Sequence, residues 1–409
     1  MAQIKETNTR GLRNIDINII LYLVMLVMIN IGFGVIGADF NLYILSMGMS
    51  PEMLGVVLSL TPFVQAFAAI PIGFLAEKMG TRYAFLIVTL LVGTAYFLRV
   101  FSPYRSLILL GSFMVGLVQA GYFVTQMPFI TQYAKGNRNQ VYALASIFMH
   151  SSRAVGNLLG GFLPGVIEPM FAGETATFRA ILIGASLLII AASIPISFLK
   201  RDKPHDTSKI SLSPYLQGID KNTVRFASVE FFLGTGLGFL LFFMNVIFVF
   251  YYNSSLEAFG TMSALLVIPL VFFVLIGPAL AKRYNNLRVI VAGRVLVAVF
   301  AVLTIATRNP VLGAAAYIAY RAMIGLSTSL WLSFASSVST DRSRVATSAW
   351  LEVTFQIGFA ASAFVGGLLI ARDAYTWLGI VAAVSFVIAA ILTLVFFGRK
   401  YLSHNPDRT

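Results

Sequence analysis

Long apolar stretches separated by short polar segments recur along the whole chain. Runs such as 17–43, 86–98, 182–199 and 378–397 carry very few charged side chains. With their flanks they approach about 20 residues, the length a helix needs to cross the hydrocarbon core of a bilayer. Hydropathy, charge and turn residues together predict twelve transmembrane helices. The predicted ranges are 16–47, 51–77, 82–101, 105–134, 141–167, 176–199, 222–252, 257–282, 287–306, 310–337, 343–371 and 374–397.

The longest polar segment lies in the middle of the chain and separates six predicted helices from six others. It contains Asp202, Pro204, Asp206 and Pro214, residues that are typical of a solvated connection. We therefore predict an N-terminal six-helix bundle at 1–199, a cytoplasmic linker at 200–221 and a C-terminal six-helix bundle at 222–409.

The two predicted bundles resemble each other in sequence at a constant offset. Gly73 and Gly277 lie near the ends of helices 2 and 8 and are 204 residues apart. Arg138 and Arg342 precede helices 5 and 11 with the same separation. Internal repeats of this kind are common in secondary transporters. The chain is therefore predicted to be an all-α integral membrane protein of two pseudo-symmetric bundles.

Composition supports a membrane location. Hydrophobic residues make up 58% of the chain and charged residues 11%, whereas a soluble domain carries about 25% charged residues. The net charge of +13 could suggest nucleic acid, but most of the 29 basic residues fall in segments that alternation places in the cytoplasm. This distribution follows the positive-inside rule and leaves little basic charge for nucleic acid. The basic residues predicted toward the other side are Arg99, Arg105, Arg179, Arg308 and Arg372.

These patterns predict a multi-pass protein of the inner (plasma) membrane with both termini in the cytoplasm. Cysteine is absent, which excludes disulfides and thiol chemistry. No phosphate-binding loop, zinc-protease motif or nucleophile motif occurs, so neither an enzyme nor direct use of ATP is expected. We expect no cofactor or metal, and we expect a monomer whose partners are a small-molecule substrate, protons and the lipid bilayer.

The segment from Gly73 to Arg82 resembles the loop 2–3 signature of the major facilitator superfamily. Gly73, Gly80 and Arg82 fit that signature, and Glu77 replaces its usual aspartate. The resemblance implies the superfamily fold of twelve helices. It also implies that Gly73 allows close packing and that Glu77 and Arg82 make charge-pairing and helix-end contacts. Gly80 is the second glycine of this conformational motif.

Glycines in predicted helix 5 resemble the antiporter motif of the same family. Gly156, Gly160, Gly161, Pro164 and Gly165 approximate that motif, although Gly161 and Pro164 depart from it. The resemblance favours export. Close packing of helices through small residues explains the same glycines without any reference to direction.

Polar residues on predicted inner helices are the candidates for substrate binding or coupling. At 100° per residue, His150, Arg153 and Asn157 share one face of helix 5, and Glu352 and Gln356 share a face of helix 11. The resemblance implies that helices 1, 4, 7 and 10 line a central cavity. The full candidate set is Asn30, Asp39, Gln119, Gln126, His150, Arg153, Asn157, Glu230, Asn245, Arg321, Glu352 and Gln356.

Two interpretations of the intramembrane charges remain open at this point. Arg153, Arg321 and Glu352 either form a permanent buried ion pair or face an aqueous cavity, because a charge at the bilayer centre needs partners or water. Glu230 is either a proton acceptor or a gate charge. Asp39 is a proton site by resemblance, but its helical phase favours a structural role. A further charge, Arg294, is expected to extend to the cytoplasmic interface.

The leading functional hypothesis is a secondary active carrier that moves a small organic solute by alternating access, with proton-coupled efflux. The first alternative is an uptake symporter or uniporter for an organic anion, which Arg153 and Arg321 favour. The second alternative is a flippase for lipids or other amphiphiles.

Overall fold

The computed structural model describes residues 16–133, 138–199, 219–340 and 343–402, and within them the chain is helical, without strands. Most of the helices are long enough to cross a membrane, and short turns join them. The predicted linker and both terminal tails fall mainly outside these residues. The helices are α1 Ile17–Ser46, α2 Pro51–Met79, α3 Thr81–Phe101, α4 Arg105–Tyr133, α5 Arg138–Ile167, α6 Glu174–Ser197, α7 Lys221–Tyr251, α8 Leu256–Tyr284, α9 Asn286–Ala306, α10 Pro310–Val338, α11 Arg344–Ile370 and α12 Tyr375–Tyr401.

These helices confirm the twelve-helix prediction. The largest difference at a helix start is in α5, predicted from 141 and observed from Arg138. Eleven of the described helices are apolar enough to span a bilayer, and α5 is the one outside that group. Its length is similar, but it carries His150, Arg153 and Asn157. The helix with the most polar character is therefore one of those predicted to face the interior.

Interruptions within the helices are features that hydropathy does not predict. The regular helix of α7 breaks at Phe242 and Phe243 and continues into a π-helical turn, Ile247–Tyr251. A second π-helical turn, Leu394–Gly398, lies in α12. Such turns leave some backbone groups without their usual helical partners, and they often occur at functional sites.

Helix pairing follows the same pattern in the two halves. In the N-terminal half, α1 packs on α5 and α6, α4 packs on α2 and α3, and α3 packs on α6. Adding six to each number gives the pairings of the C-terminal half. The halves contact each other through two helix pairs, α2 with α11 and α5 with α8. The pseudo-symmetry relates these pairs, because α8 is the counterpart of α2 and α11 is the counterpart of α5. This is the pseudo-two-fold arrangement that the repeats predicted.

Glycines allow the inner helices of each half to cross at backbone contact. A Cβ atom on Gly34 of α1 would collide with the carbonyl oxygen of Arg153 on α5. In the other half, a Cβ atom on Gly234 of α7 would collide with the carbonyl oxygen of Phe355 on α11. Small residues are favoured at such crossings because lipid supplies no hydrophobic force between helices, which leaves packing to hold them.

The turn between α2 and α3 requires a left-handed backbone. Gly80 has a φ of 80°, and Asn285 takes the equivalent place between α8 and α9 with a φ of 77°. Glycine and asparagine adopt this conformation more readily than other residues. The second half therefore keeps the turn through Asn285, although it lacks a second glycine.

We predict that Gly156→Leu lowers the free energy of unfolding by about 1–3 kcal/mol, the usual cost of overpacking. The reason is that a side chain here would meet the carbonyl oxygen of Ile31 and the Cα atom of Gly34. Thermal unfolding of the detergent-solubilised protein measures the effect. Gly184→Leu is the matched control, because no atom lies within 4 Å of a Cβ atom built at Gly184. Equal melting temperatures for the two variants would contradict the packing role.

Candidate functional site

A cavity of about 420 Å³ lies between the two halves. Helices α1 to α5 line it from the N-terminal half, and α7, α8, α10 and α11 line it from the C-terminal half. This volume lies within the range of small-molecule sites in proteins. The cavity is therefore large enough to hold a small organic solute at the interface of the repeats.

Basic side chains, three arginines and one histidine, define the chemistry of this cavity. Arg153 and His150 line it from α5, Arg321 lines it from α10, and Arg99 lines it from α3. No aspartate or glutamate occurs among its described lining residues. The described wall is therefore cationic, and among the described residues Arg153 and Arg321 form no ion pair with Glu352.

The arginines on α5 and α10 face each other across the two halves. Their positive charges are close enough to repel, and a proton on His150 would add to that repulsion. The Arg153 guanidinium also lies over the ring of Phe33, with 5.6 Å between its central carbon and the ring centroid. Like charges converging in a low-dielectric site favour a negatively charged occupant.

Uncharged polar side chains complete the lining. Gln119, Asn157 and Gln356, all predicted from the sequence, reach the cavity, and so does Gln65 of α2, which was not predicted. Gln356 also donates a 2.8 Å hydrogen bond to the Glu352 carboxylate one turn away. Six of the predicted residues thus line one cavity, namely Gln119, His150, Arg153, Asn157, Arg321 and Gln356.

Other predicted residues lie elsewhere. Asn30 is buried and donates a 2.8 Å hydrogen bond to the carbonyl oxygen of Leu26 in its own helix. Asn30 and Gln126 both lie beside the hydroxyl of Tyr122. Asp39 is fully buried, and neither carboxylate oxygen has a hydrogen-bond partner among the described residues. Neither Asn30, Gln126 nor Asp39 lines the cavity.

A buried cluster inside the C-terminal half holds Glu230. Its carboxylate accepts a 3.2 Å hydrogen bond from the indole nitrogen of Trp331, and the Arg294 guanidinium lies 4.3 Å from the centre of the same tryptophan. Arg294 is fully buried and also donates to Thr393. The expectation that Arg294 extends to the interface is therefore wrong, because it packs between α9, α10 and α12.

The two halves close against each other at one end of the bundle. We call this the outer end, following the orientation predicted from charge; it contains the turn between α1 and α2. Here Asn41 of α1 donates a 2.8 Å hydrogen bond to the side-chain oxygen of Asn245 in α7, and also bonds the carbonyl of Phe242. Asn245 in turn donates to the carbonyl oxygen of Ala38 at 2.7 Å. We call these two residues the asparagine pair.

Glycines bring the backbones together at the same end. A Cβ atom built on Gly55 of α2 would lie 2.9 Å from the Cα atom of Gly367 in α11. A Cβ atom built on Gly161 of α5 would lie 3.1 Å from the Cα atom of Gly260 in α8. Gly161 belongs to the antiporter-like motif, so part of that motif serves the contact between halves.

The loop 2–3 signature is described only in part. Arg82 donates a 2.6 Å hydrogen bond to the carbonyl oxygen of Ser197 near the end of α6, and Gly80 supplies the left-handed turn. Gly73 and Glu77 lie in α2, but their surroundings fall outside the described residues. The helix-end contact expected of Arg82 is therefore present, and the role of Glu77 stays a prediction.

A sequence model of the Major Facilitator Superfamily matches residues 18–255, more than half of the chain. The chain belongs to the major facilitator superfamily. It is thus a multi-pass membrane transporter and not an enzyme. A search of curated protein sequences finds no match.

Solved structures show the same superfamily fold. The nucleoside transporter NupG has a TM-score of 0.72 and 14% identity, over 93% of this chain and 99% of that one. A bacterial homologue of the human lysosomal transporter Spinster, in an inward-facing and occupied conformation, has a TM-score of 0.75 and 14% identity. That match covers 94% of this chain and 97% of the other. At such identities the likeness concerns the fold alone.

Sequence reasoning missed Arg99 and Asn41 as site residues. Arg99 was predicted only to lie toward the outer side of the membrane, whereas the structure places it among the residues that line the cavity. Asn41 carried a usable signal: it lies 204 residues from Asn245, the same offset as the repeated motifs. Asn245 was predicted as a binding candidate, but its hydrogen bonds place it in the contact between halves.

We predict that Asn41→Ala and Asn245→Ala each open the outer end, and that the double variant opens it little further, since both residues belong to the same hydrogen bonds. The chain has no cysteine, so Ser263→Cys in the cavity lining gives a single labelling site. The rate at which a membrane-impermeant maleimide labels it from the outer side should rise several-fold over the Ser263→Cys parent. An unchanged rate in both variants would contradict the closing role of the asparagine pair.

Proposed function

We propose that this transporter is a secondary carrier that moves a small organic anion by alternating access of the cavity to the two sides of the membrane. The main observation for this proposal is that Arg99, Arg153 and Arg321 line the cavity and that no described carboxylate does. A charge inside a bilayer costs at least about 2.5–3.5 kcal/mol unless it is paired or hydrated. An anionic solute supplies the missing partner.

The aromatic lining supports a solute with an apolar or aromatic body. Phe33, Phe40, Phe242, Phe259 and Phe359 all contribute to the cavity surface. Aromatic rings bind apolar groups and, together with arginine, provide stacking surfaces. Glutamine and asparagine side chains between the rings would orient the polar groups of the solute. The proposed substrate is therefore an organic anion, as distinct from an inorganic one.

Closure at the outer end supports alternating access. In the proposed cycle the asparagine pair and the glycine contacts hold this end shut while solute exchanges with the cytoplasm. Rocking of the two bundles then breaks these contacts and opens the other route.

Proton coupling and export stay predictions from the sequence. Among the acids proposed for coupling, Glu352 is the nearest to the cavity, because it accepts the hydrogen bond of the lining residue Gln356. Glu230 and Asp39 lie away from the lining. The helix 5 glycines make close packing contacts, and these contacts do not decide the direction of transport. The cationic wall and the enclosed volume favour a small organic anion over the lipid of the flippase hypothesis.

Binding of charge-matched ligands tests the anion proposal. We expect benzoate to raise the melting temperature of the purified protein and benzamide, its neutral analogue, to leave it unchanged. Arg153→Gln or Arg321→Gln should weaken benzoate binding by about ten-fold or more, because a hydrogen bond to a charged group contributes about 1.5–3 kcal/mol. The readout is a thermal-shift titration, followed by uptake into proteoliposomes.

Arg105→Gln is the matched control for these two variants, because Arg105 is exposed at the start of α4 and does not line the cavity. It should bind benzoate like the parent protein. Equal stabilisation by benzoate and benzamide would overturn the anion proposal, and so would unchanged benzoate binding in both arginine variants.

We predict that Glu352→Gln abolishes uphill, pH-driven transport and leaves exchange at equal concentrations intact. Glutamine can still accept the hydrogen bond from Gln356, so the variant removes the titratable group with little change of shape. The measurement is accumulation of a labelled carboxylate in proteoliposomes with and without an imposed pH gradient. Normal pH-driven accumulation by the variant would exclude Glu352 as the coupling site. Everted vesicles with acid inside would accumulate the solute if the carrier exports it.

A further inference from the structure

Arg99 is a buried charge among the residues that line the cavity near its outer end. Only 4% of the residue is exposed, and its Nε and Nη2 atoms have no hydrogen-bond partner among the described residues. Its backbone is fixed by the neighbouring helix, since a Cβ atom built on Gly111 of α4 would lie 2.7 Å from the Arg99 Cα atom. The side chain is therefore held in the cavity wall with unused donors.

Two arginines stack on two phenylalanines of the same helix. The Arg99 guanidinium carbon lies 3.6 Å from the ring centroid of Phe40, and that of Arg153 lies 5.6 Å from the ring centroid of Phe33. Phe33 and Phe40 are seven residues apart in α1, which corresponds to about 10 Å along the helix axis. The two arginines therefore stack on rings at different depths along α1, which defines two cationic levels: an inner level at Arg153 and an outer level at Arg99.

Tyr96 connects the two levels. It lies one turn before Arg99 in α3, lines the cavity, and packs on Phe33 with 5.6 Å between ring centroids. Both Arg99 and Arg153 are within electrostatic range of its hydroxyl. The surface between the two guanidinium groups is thus aromatic and continuous, and could hold the body of one solute.

Among the described residues, no carboxylate pairs with Arg99. Asp39 directly precedes Phe40 in sequence, but it lies outside the cavity lining and makes no hydrogen bond to Arg99. The ring of Phe40 attracts the cation, yet it accepts no conventional hydrogen bond from the free nitrogen atoms. Arginine presents a planar fork of donors that suits a carboxylate or a phosphate.

We propose that Arg99 is a second anion-binding site of the cavity, and that the transported solute carries two anionic groups about 10 Å apart. One anionic group binds Arg153 and Arg321, and the other binds Arg99 near the outer end. This inference rests on the proposed function and extends it from an organic anion to an elongated dianion. It also gives Arg99 a specificity role, since monoanions would use only the first site.

Linear dicarboxylates of increasing length, from succinate to sebacate, test the proposal against monocarboxylates of equal length. Thermal-shift titration of the whole protein should show an optimum at the longer dicarboxylates. At that length we expect at least a ten-fold lower apparent Kd for the dicarboxylate than for its monocarboxylate. Arg99→Gln should lower the affinity for the dicarboxylate far more than the affinity for the monocarboxylate, and should thus abolish this difference. Arg99→Lys, which keeps the charge, should retain part of the difference in apparent Kd, and Arg105→Gln should retain all of that difference.

The possible failures are distinguishable. No preference for dicarboxylates at any length, together with normal monocarboxylate binding, would overturn the second site and leave the proposed function standing. Equal loss of mono- and dicarboxylate binding in Arg99→Gln would also overturn it, by placing Arg99 in the first site. Absence of binding by every carboxylate would remove the proposed function itself. The length dependence uses the unmodified protein, so the test does not depend on the folding of any variant.

Discussion

The electrostatic cost of positive charge inside a bilayer governs the arrangement of this protein. Arg99, Arg153 and Arg321 lie at membrane depth on a wall without a described carboxylate. Such groups are stable only where water or an anion reaches them. The two bundles meet at one end and leave a cavity between them. This cavity satisfies the requirement, because it separates the arginines from lipid and can hold water or a solute.

Closure at the outer end depends on backbone contact rather than on side-chain interlocking. Glycine pairs from opposite halves bring the helices close enough for carbonyl and amide groups to meet, and the asparagine pair then bonds across the interface. Polar hydrogen bonds between membrane helices contribute about 0.6 kcal/mol on average. Bonds of this strength keep an end shut and still allow it to open within a transport cycle. A larger apolar interface would hold the halves in one state.

The sequence predicted the helices far better than it predicted the site. Helix ranges follow from apolar length and from the sign of loop charges, and both signals are local. The stripe of His150, Arg153 and Asn157 was also predictable, because helical periodicity alone places these residues on one face. Glu230 and Asp39 were not, since a polar residue on an inner helix meets either the cavity or a neighbouring helix of its own half. Only tertiary packing decides this, and in α7 the partner of Glu230 proved to be Trp331.

The pseudo-symmetry distinguishes the contact between the two halves from the proposed solute site. Asn41 and Asn245 obey the repeat: they are 204 residues apart and exchange equivalent hydrogen bonds to opposite backbones. Arg153 departs from the repeat. Its carbonyl oxygen meets Gly34, and the equivalent carbonyl oxygen in the other half, which meets Gly234, belongs to Phe355. A contact between the two halves can use the same residue at equivalent positions, whereas an asymmetric solute requires different side chains from each half. The substrate specificity of this carrier is therefore expected to reside in the positions where its halves differ.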